Sequence, residues 1–324
     1  MKNVLVLGGT GFVGAHVCEK LARAGWTITV PTRRSITARS VMVLPGLTVR
    51  ECDVHDEATL QRLVQGHDAV VNLIAILHGS QQAFQRVHVE LPRKLAATCV
   101  AADVKRLVHV SALGANPQAA HSLPSMYLRS KSEGEAVLMA ACTSMALTVL
   151  RPSVIFGRGD KFLNLFAAMQ QVAPFVPLAC ADAQFQPVWV EDVASAIVKA
   201  LERATPGVQA IEACGPDVFR LRDLVQLAAR LSGVNHGQGR PVLPLPGWAG
   251  TLQARAMEML PGNPLMSRDN LDSMKLPSVA TPGATGLSAL GIEPAALQAV
   301  AADYLNERSP WYSLLGVRKR ANWR

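Results

Sequence analysis

The stretch Val4-Leu5-Val6-Leu7-Gly8-Gly9-Thr10-Gly11-Phe12-Val13-Gly14 constrains the fold of this chain more than any other. Four consecutive apolar residues predict a strand buried on both faces, as parallel sheets require. Gly8, Gly11 and Gly14 follow at a spacing of three. His16 to Ala24 then predicts a helix, with Val17, Leu21 and Ala24 on one face and Gly25 ending it. Strand, glycine turn and helix, in that order, are the context in which a pyrophosphate is held. Gly8 permits the tight turn, Gly11 lets a pyrophosphate approach the backbone, and Gly14 lets the helix lie against the strand. Thr10, Phe12 and Val13 stand where the helix N-terminus offers N–H groups and a partial positive charge to phosphate. The same composition also suits a turn that packs a βα unit and binds nothing.

The pattern repeats along the chain. Further strands are expected at 26–30, 47–51, 69–77, 105–110 and 146–150, with helices through Leu60 to Val64, at 83–102 and from Ser125 to Ala141. This alternation predicts an α/β chain: a doubly wound parallel-sheet Rossmann fold with a smaller C-terminal lobe for substrate or partner. Residues 1–151 and 186–204 are assigned to the dinucleotide-binding domain, and 152–185 and 205–324 to the interleaved lobe. Ligands of such sheets sit beyond the carboxyl ends of the strands, so the loops after Leu7, Val30, Leu77 and Val110 face one cleft.

Those loops carry the candidate ligand-binding residues. Arg33 and Arg34 follow the second strand, where an acid would hold the 2′-hydroxyl of NAD and an arginine accommodates the 2′-phosphate of NADP. No acid stands between Pro31 and Ser35, which favours NADP(H) over NAD(H). Asp53, with Val54, follows the third strand where a carboxylate can meet an adenine amino group. Asp56 is a candidate N-cap. Leu73 and Ala75 are expected along the cleft, and Asn72 inside an apolar strand needs partners.

A second constellation follows Ser111. Tyr127 and Lys131 are four residues apart and share a helix face. An ammonium beside a phenol favours the phenolate and lowers the tyrosine pKa, which suits proton transfer to or from a carbonyl oxygen. A surface pair at helical spacing has the same signature. Asp192 is expected to cap a helix running to Leu201.

Composition removes several classes. With 49% hydrophobic and 17% charged residues, the 324-residue chain is globular. The net charge of +8 suits anionic ligands, yet no basic stripe accompanies a recognition helix or an aromatic platform, which argues against nucleic acid. Six scattered cysteines without a C-x-x-C give no metal site and no disulfide framework. No apolar run reaches the ~18 residues of a membrane span, and the N-terminal strand leaves no room for a leader peptide. A cytoplasmic protein is expected. The tail from Trp311 and Tyr312 to Arg318, Lys319, Arg320 and Arg324 allows peripheral contact at the inner face of a membrane, or docking on its own domain.

These residues together resemble the extended or atypical short-chain dehydrogenase/reductase superfamily. The matching stretches are Gly8 to Gly14, Asp53-Val54, Lys105 to Ala115, the pair Tyr127 and Lys131, and Leu150-Arg151-Pro152-Ser153-Val154-Ile155-Phe156-Gly157. Pro31-Thr32-Arg33-Arg34, Asp53-Val54-His55-Asp56 and Tyr127-Leu128-Arg129-Ser130-Lys131 are similar to the branch containing subunit nine of the complex I alpha subcomplex and its bacterial relatives. The resemblance implies Tyr127 as general acid, Lys131 on Tyr127 and the cofactor ribose, Ser111 on the substrate oxygen, and Pro152 and Ser153 on the nicotinamide side. It implies two kinds of function: an NADP(H)-dependent oxidoreductase or epimerase acting on a small, apolar substrate, or a non-catalytic NADPH-holding accessory or assembly protein of a respiratory complex. His88 departs from the superfamily, standing where many extended members carry a site-shaping asparagine.

Overall fold

The computed structural model describes residues 2–142, 145–203, 206–259 and 266–305. The tail from Trp311 onward, with its aromatic and basic residues, lies outside the described residues. The described chain divides into two compact units, residues 1–153, 190–214 and 280–293, and residues 154–189, 215–279 and 294–324.

The first unit is built on a parallel sheet. Its strands are β1 (Asn3–Leu7), β2 (Thr27–Thr32), β3 (Leu47–Glu51), β4 (Ala69–Asn72), β5 (Arg106–Val110), β6 (Ala146–Pro152) and a seventh, Gly207–Ala213. Reading from β3, the order is β3-β2-β1-β4-β5-β6 and then the seventh strand. Every pairing is parallel, so all carboxyl ends lie along one edge. The order steps outward in both directions from β1, which is the doubly wound topology the alternation predicted.

Three boundaries differ from expectation. Gly207–Ala213, assigned above to the smaller lobe, pairs with β6 along its whole length and completes the sheet. Residues 280–293 also return to this unit: Glu212 accepts from Thr281 N at 2.7 Å and Thr281 Oγ1 at 2.9 Å. Strand β4 stops at Asn72 instead of continuing to Leu77. The Asn72 side chain accepts from Ile74 N at 3.2 Å, a local bond that turns the backbone off the ladder.

Helices cover both faces. Helix α1 (Phe12–Arg23) starts inside the glycine stretch, four residues earlier than the apolar periodicity suggests. Helix α2 (Glu57–Val64) is capped by Asp56, whose side chain accepts from Thr59 N. Ser80 caps α3 (Gln81–Gln85), which runs through a π-helical segment (Arg86–Glu90) into α4 (Leu91–Ala101). Helix α5 (Met126–Ala141) is capped by Ser125. The helix Val190–Glu202 begins before Asp192, so Asp192 sits buried in the first turn instead of capping it. Leu5, Leu7, Val70, Leu107 and Leu147 pack with Leu91, Leu95 and Leu138 of α4 and α5 in one core. The described cysteines are free; Cys18, Cys99, Cys142 and Cys214 are buried, and burial pushes their thiols up.

The second unit gathers a separate core around Phe156, Leu163, Phe166, Leu224, Ala228 and Leu297. Asp160 organises it. Its carboxylate accepts from Gly157 N, Phe162 N and Asn164 N at the start of helix Leu163–Val172, and from the buried Tyr304 hydroxyl at 3.0 Å. No described helix is long and apolar enough to cross a membrane.

Helix α5 crosses the π-helical segment at Gly134, where an added Cβ would lie 1.9 Å from the His88 carbonyl oxygen. A main-chain atom cannot swing aside as a side chain would. Gly134→Ala is therefore expected to cost about 2–3 kcal/mol of stability, read as a lowered urea midpoint with an unchanged m-value.

Candidate functional site

At the end of β1 the chain turns at Gly8, which adopts φ +82°. A Cβ there would also press on Leu73, at 3.2 Å, just beyond the end of β4. Gly14 is the closest contact of the turn: its Cβ would lie 2.2 Å from Gly8 O and 2.6 Å from the Gly9 Cα. No side chain fits, so α1 begins directly on the strand end. Gly11 is exposed and its Cβ would meet only Gly8 O, at 3.3 Å. Gly11 is also the N-cap of α1 and offers no side-chain oxygen, and no acid stands in the first turn. The first N–H groups of α1, from Phe12 onward, therefore lack an intrahelical acceptor beside an exposed glycine. This geometry fits a diphosphate.

Arg33 and Arg34 lie exposed just past β2, and neither forms an ion pair among the described residues. Their acidic neighbour across the sheet edge, Glu51, is engaged elsewhere. It accepts from Ser35 N at 2.9 Å and from the Ser35 hydroxyl, bonds that hold its carboxyl below the usual range. Asp53 is exposed and accepts from His55 N at 3.0 Å through one oxygen; Val54 beside it is buried. Ala75 is exposed on the segment after β4.

The second constellation lies at the ends of β5 and β6. Ser111 N donates to Leu150 O at 2.7 Å, and Leu113 N donates to Pro152 O at 2.9 Å, so the chain beyond β5 stays pinned to β6. Ser153 N in turn donates to Ala213 O. The Ser111 hydroxyl is buried and has no partner among the described residues. Lys131, 1% exposed, donates from Nζ to Val110 O at 2.8 Å. Burial pushes its pKa down to about 8, opposed by Glu135 one turn on. Glu135 is itself buried and takes Arg151 of β6 in a two-pronged ion pair with 3.1 Å bonds from Nε, fixing α5 against the sheet.

Tyr127 corrects one expectation. Its phenol is pushed up to about 12 by burial, not lowered by Lys131. The ammonium is committed to a main-chain carbonyl, and the tyrosine ring instead packs edge-on against His88, centroids 5.6 Å apart, and Phe84, at 6.3 Å. Burial disfavours the phenolate, and that effect wins.

Two histidines, His88 and His109, complete a polar layer beneath the site. His88 Nε2 accepts from Ile76 N at 3.1 Å, so its proton resides on Nδ1 and goes to Ser130 Oγ at 2.9 Å. Ser130 then donates to Tyr127 O. His88 thus ties the segment after β4 to the helix carrying Tyr127 and Lys131. Burial, and then the nearby Lys131, push its pKa down to about 2, so it is neutral. His109 of β5 stands opposite Asn72 of β4, and Asn72 Nδ2 donates to its Nδ1 at 3.1 Å. His109 Nε2 then carries the proton, is buried, and has no acceptor among the described residues. The sequence signal for this layer was a pair of polar residues in apolar strands; that they face each other is a matter of register. No cluster of three or more His, Cys, Asp or Glu side chains that could hold a metal occurs among the described residues.

Comparison with known proteins gives the family of the chain. Residues 4–213 match the profile described as the NAD dependent epimerase/dehydratase family. The chain is 31% identical over 300 residues to the mouse (Mus musculus) protein named NADH dehydrogenase (ubiquinone) 1 alpha subcomplex subunit 9, mitochondrial, covering 90% of this chain and 77% of that one. It is 28% identical over 237 residues to the ceramide reductase of Caulobacter vibrioides, covering 71% and 70%. Among solved structures, the UDP-glucose 4-epimerase of Thermus thermophilus in complex with NAD superimposes with a TM-score of 0.66 at 20% identity, covering 94% of this chain and 98% of that one.

The pH dependence of stability follows from His88. Its folded pKa lies far below that of the unfolded chain, so stability is fully present above about pH 6.5 and is lost as pH falls toward about 2, where the folded group titrates. His88→Asn is expected to be less stable at pH 7, because Ile76 N–H and Ser130 are left mispaired. It should also show a flatter decline between pH 6.5 and 4 than the parent chain, in urea melts run across that range.

Proposed function

The chain belongs to the NAD dependent epimerase/dehydratase family, and on that premise we propose that it is an NADP(H)-dependent reductase of an apolar, lipid-like carbonyl substrate. One observation carries the catalytic part. The Ser111 hydroxyl, the Lys131 ammonium on Val110 O and the helical turn bearing Tyr127 converge at the end of β5, and Ser111 is left buried with its hydrogen-bonding capacity unspent. A buried hydroxyl without a partner is costly unless a ligand supplies one.

In this reading the pyrophosphate lies on Gly8 to Gly14, with N–H groups from Thr10, Phe12 and Val13. Arg33 and Arg34 take the 2′-phosphate, since the Glu51 carboxylate at the same sheet edge is held by Ser35. Asp53 and Val54 meet the adenine. Leu73 and Ala75 line the cofactor's length, Lys131 holds the ribose, and Pro152 and Ser153 border the nicotinamide. When bound, the cofactor supplies the hydride. Ser111 Oγ hydrogen-bonds the substrate oxygen and fixes its position. Tyr127 Oη delivers the proton that this oxygen needs. Burial keeps the Tyr127 phenol protonated, the form a proton donor takes. The apolar substrate class rests on the likeness to a ceramide reductase.

A second reading is a cofactor-holding accessory protein of a respiratory complex with little turnover. The commitment of Lys131 to Val110 O and the raised phenol favour it, since the ammonium is spent on the main chain and the phenol is moved away from neutral pH. So does the likeness to a complex I subunit.

Two measurements test these readings. Arg33→Ala with Arg34→Ala should weaken NADPH binding by about tenfold to a hundredfold, as expected for two charge-assisted phosphate contacts, and leave NADH binding unchanged in calorimetric titrations. Retained NADPH preference would refute the assignment of these arginines. Tyr127→Phe should keep the NADPH affinity and lower turnover of long-chain keto substrates by about 10²–10⁴-fold, the range of general acid catalysis. Tight NADPH binding with no oxidation in the parent chain would favour the accessory role.

A further inference from the structure

The second unit presents an apolar surface that its own core does not use. The helix Gly247–Glu258 has two apolar faces. One, with Gly250 and Ala254, is buried, and a Cβ on Gly250 would lie 2.8 Å from the Ala179 side chain. On the opposite side, Trp248, Leu252 and Met259 recur at intervals of four and seven residues and so lie in one stripe. They are 75%, 62% and 87% exposed. Phe175 and Leu243 extend the exposed apolar area on two neighbouring segments, which meet where Val242 to Pro244 pair with Val176 to Leu178. Three large side chains uncovered on one helical stripe exceed the scattered apolar exposure of an ordinary surface.

We propose that this stripe docks the protein on an anionic lipid surface. Charge favours that occupant. Arg255 falls inside the stripe, and the one acid of the helix, Glu258, has both oxygens taken by Arg268 N and Nε at 2.8 and 2.9 Å. The chain as a whole carries +8. The polar groups on the stripe are a guanidinium and an indole N–H, which belong at a headgroup boundary with their apolar bodies below it. A second copy fits less well: a stable dimer needs about 800 Å² from each partner, spread over some 20 residues, and one narrow stripe falls short. The inference rests on the reading of an apolar substrate in one respect: such a substrate resides in a membrane, and the docked chain meets it there.

The test is co-sedimentation of the full chain with vesicles of phosphatidylcholine alone and of phosphatidylcholine mixed with phosphatidylglycerol. Binding is expected to the mixed vesicles, with a blue shift of emission that is absent in Trp248→Phe. Trp248→Ser combined with Leu252→Ser and Met259→Ser should weaken vesicle binding at least tenfold. Arg255→Glu should weaken binding to the mixed vesicles alone. A cooperative urea melt matching that of the parent chain reports that each variant is folded. Undiminished binding of the triple variant overturns the proposal. So does absence of binding by the parent chain. A concentration-dependent dimer that the triple variant loses, without vesicle binding, would reassign the stripe to contact between copies. Vesicle binding that depends on the stripe stands even where NADPH oxidation fails, so the two readings fail separately.

Discussion

The structure of the first unit depends on burying both faces of β1. Val4 and Val6 point to one side of the sheet, Leu5 and Leu7 to the other, and all four are inaccessible to solvent. A strand buried in this way needs strands on both edges and helices on both faces. Parallel neighbours supply the edges, and each parallel connection has to cross the sheet, which places the helices. The same requirement brings every carboxyl end to one side. The glycine turn, the arginines after β2, Asp53 and Ser111 share an edge because β1 cannot be covered otherwise.

At that edge the chain carries a layer of buried polar groups that the core does not need for packing. Asn72, His109, His88, Ser130 and Lys131 are each almost wholly buried. Burial keeps both histidines neutral, so the charge of the layer resides on Lys131, and most of its groups are satisfied within the chain. The exceptions, Ser111 Oγ and His109 Nε2, are informative because unsatisfied buried polar atoms are rare in native folds. The bonded members have a positioning effect. His88 fixes the segment after β4 to α5, Arg151 and Glu135 fix α5 to β6, and Val110 O fixes Lys131. These bonds hold α5 in one position against the ends of β4, β5 and β6.

Much of this was legible in sequence. Apolar runs alternating with helical periodicity yield the sheet, because a period of two or of 3.6 reflects which face a residue buries. Gly14 was legible because close helix–strand contact excludes every other residue, and the calculated 2.2 Å approach bears this out. Less legible were features made by pairing across the chain. The end of β4 is not legible, since Ile74 to Leu77 are apolar and the Asn72 bond to Ile74 N turns the chain away. Gly207–Ala213 was assigned to the wrong unit because sequence distance from β6 hides their adjacency.

By itself the sequence determined the parallel α/β architecture, the glycine turn and the presence of Tyr127 and Lys131 on one helix face, since each follows from local spacing. Tertiary structure alone decided the electrostatics. Whether a lysine lowers a neighbouring phenol depends on what else the ammonium bonds and on how much water reaches the ring. Here Val110 O takes the ammonium and burial raises Tyr127. Desolvation and hydrogen bonding are properties of the packed environment, which residues distant in sequence create, and no spacing rule contains them.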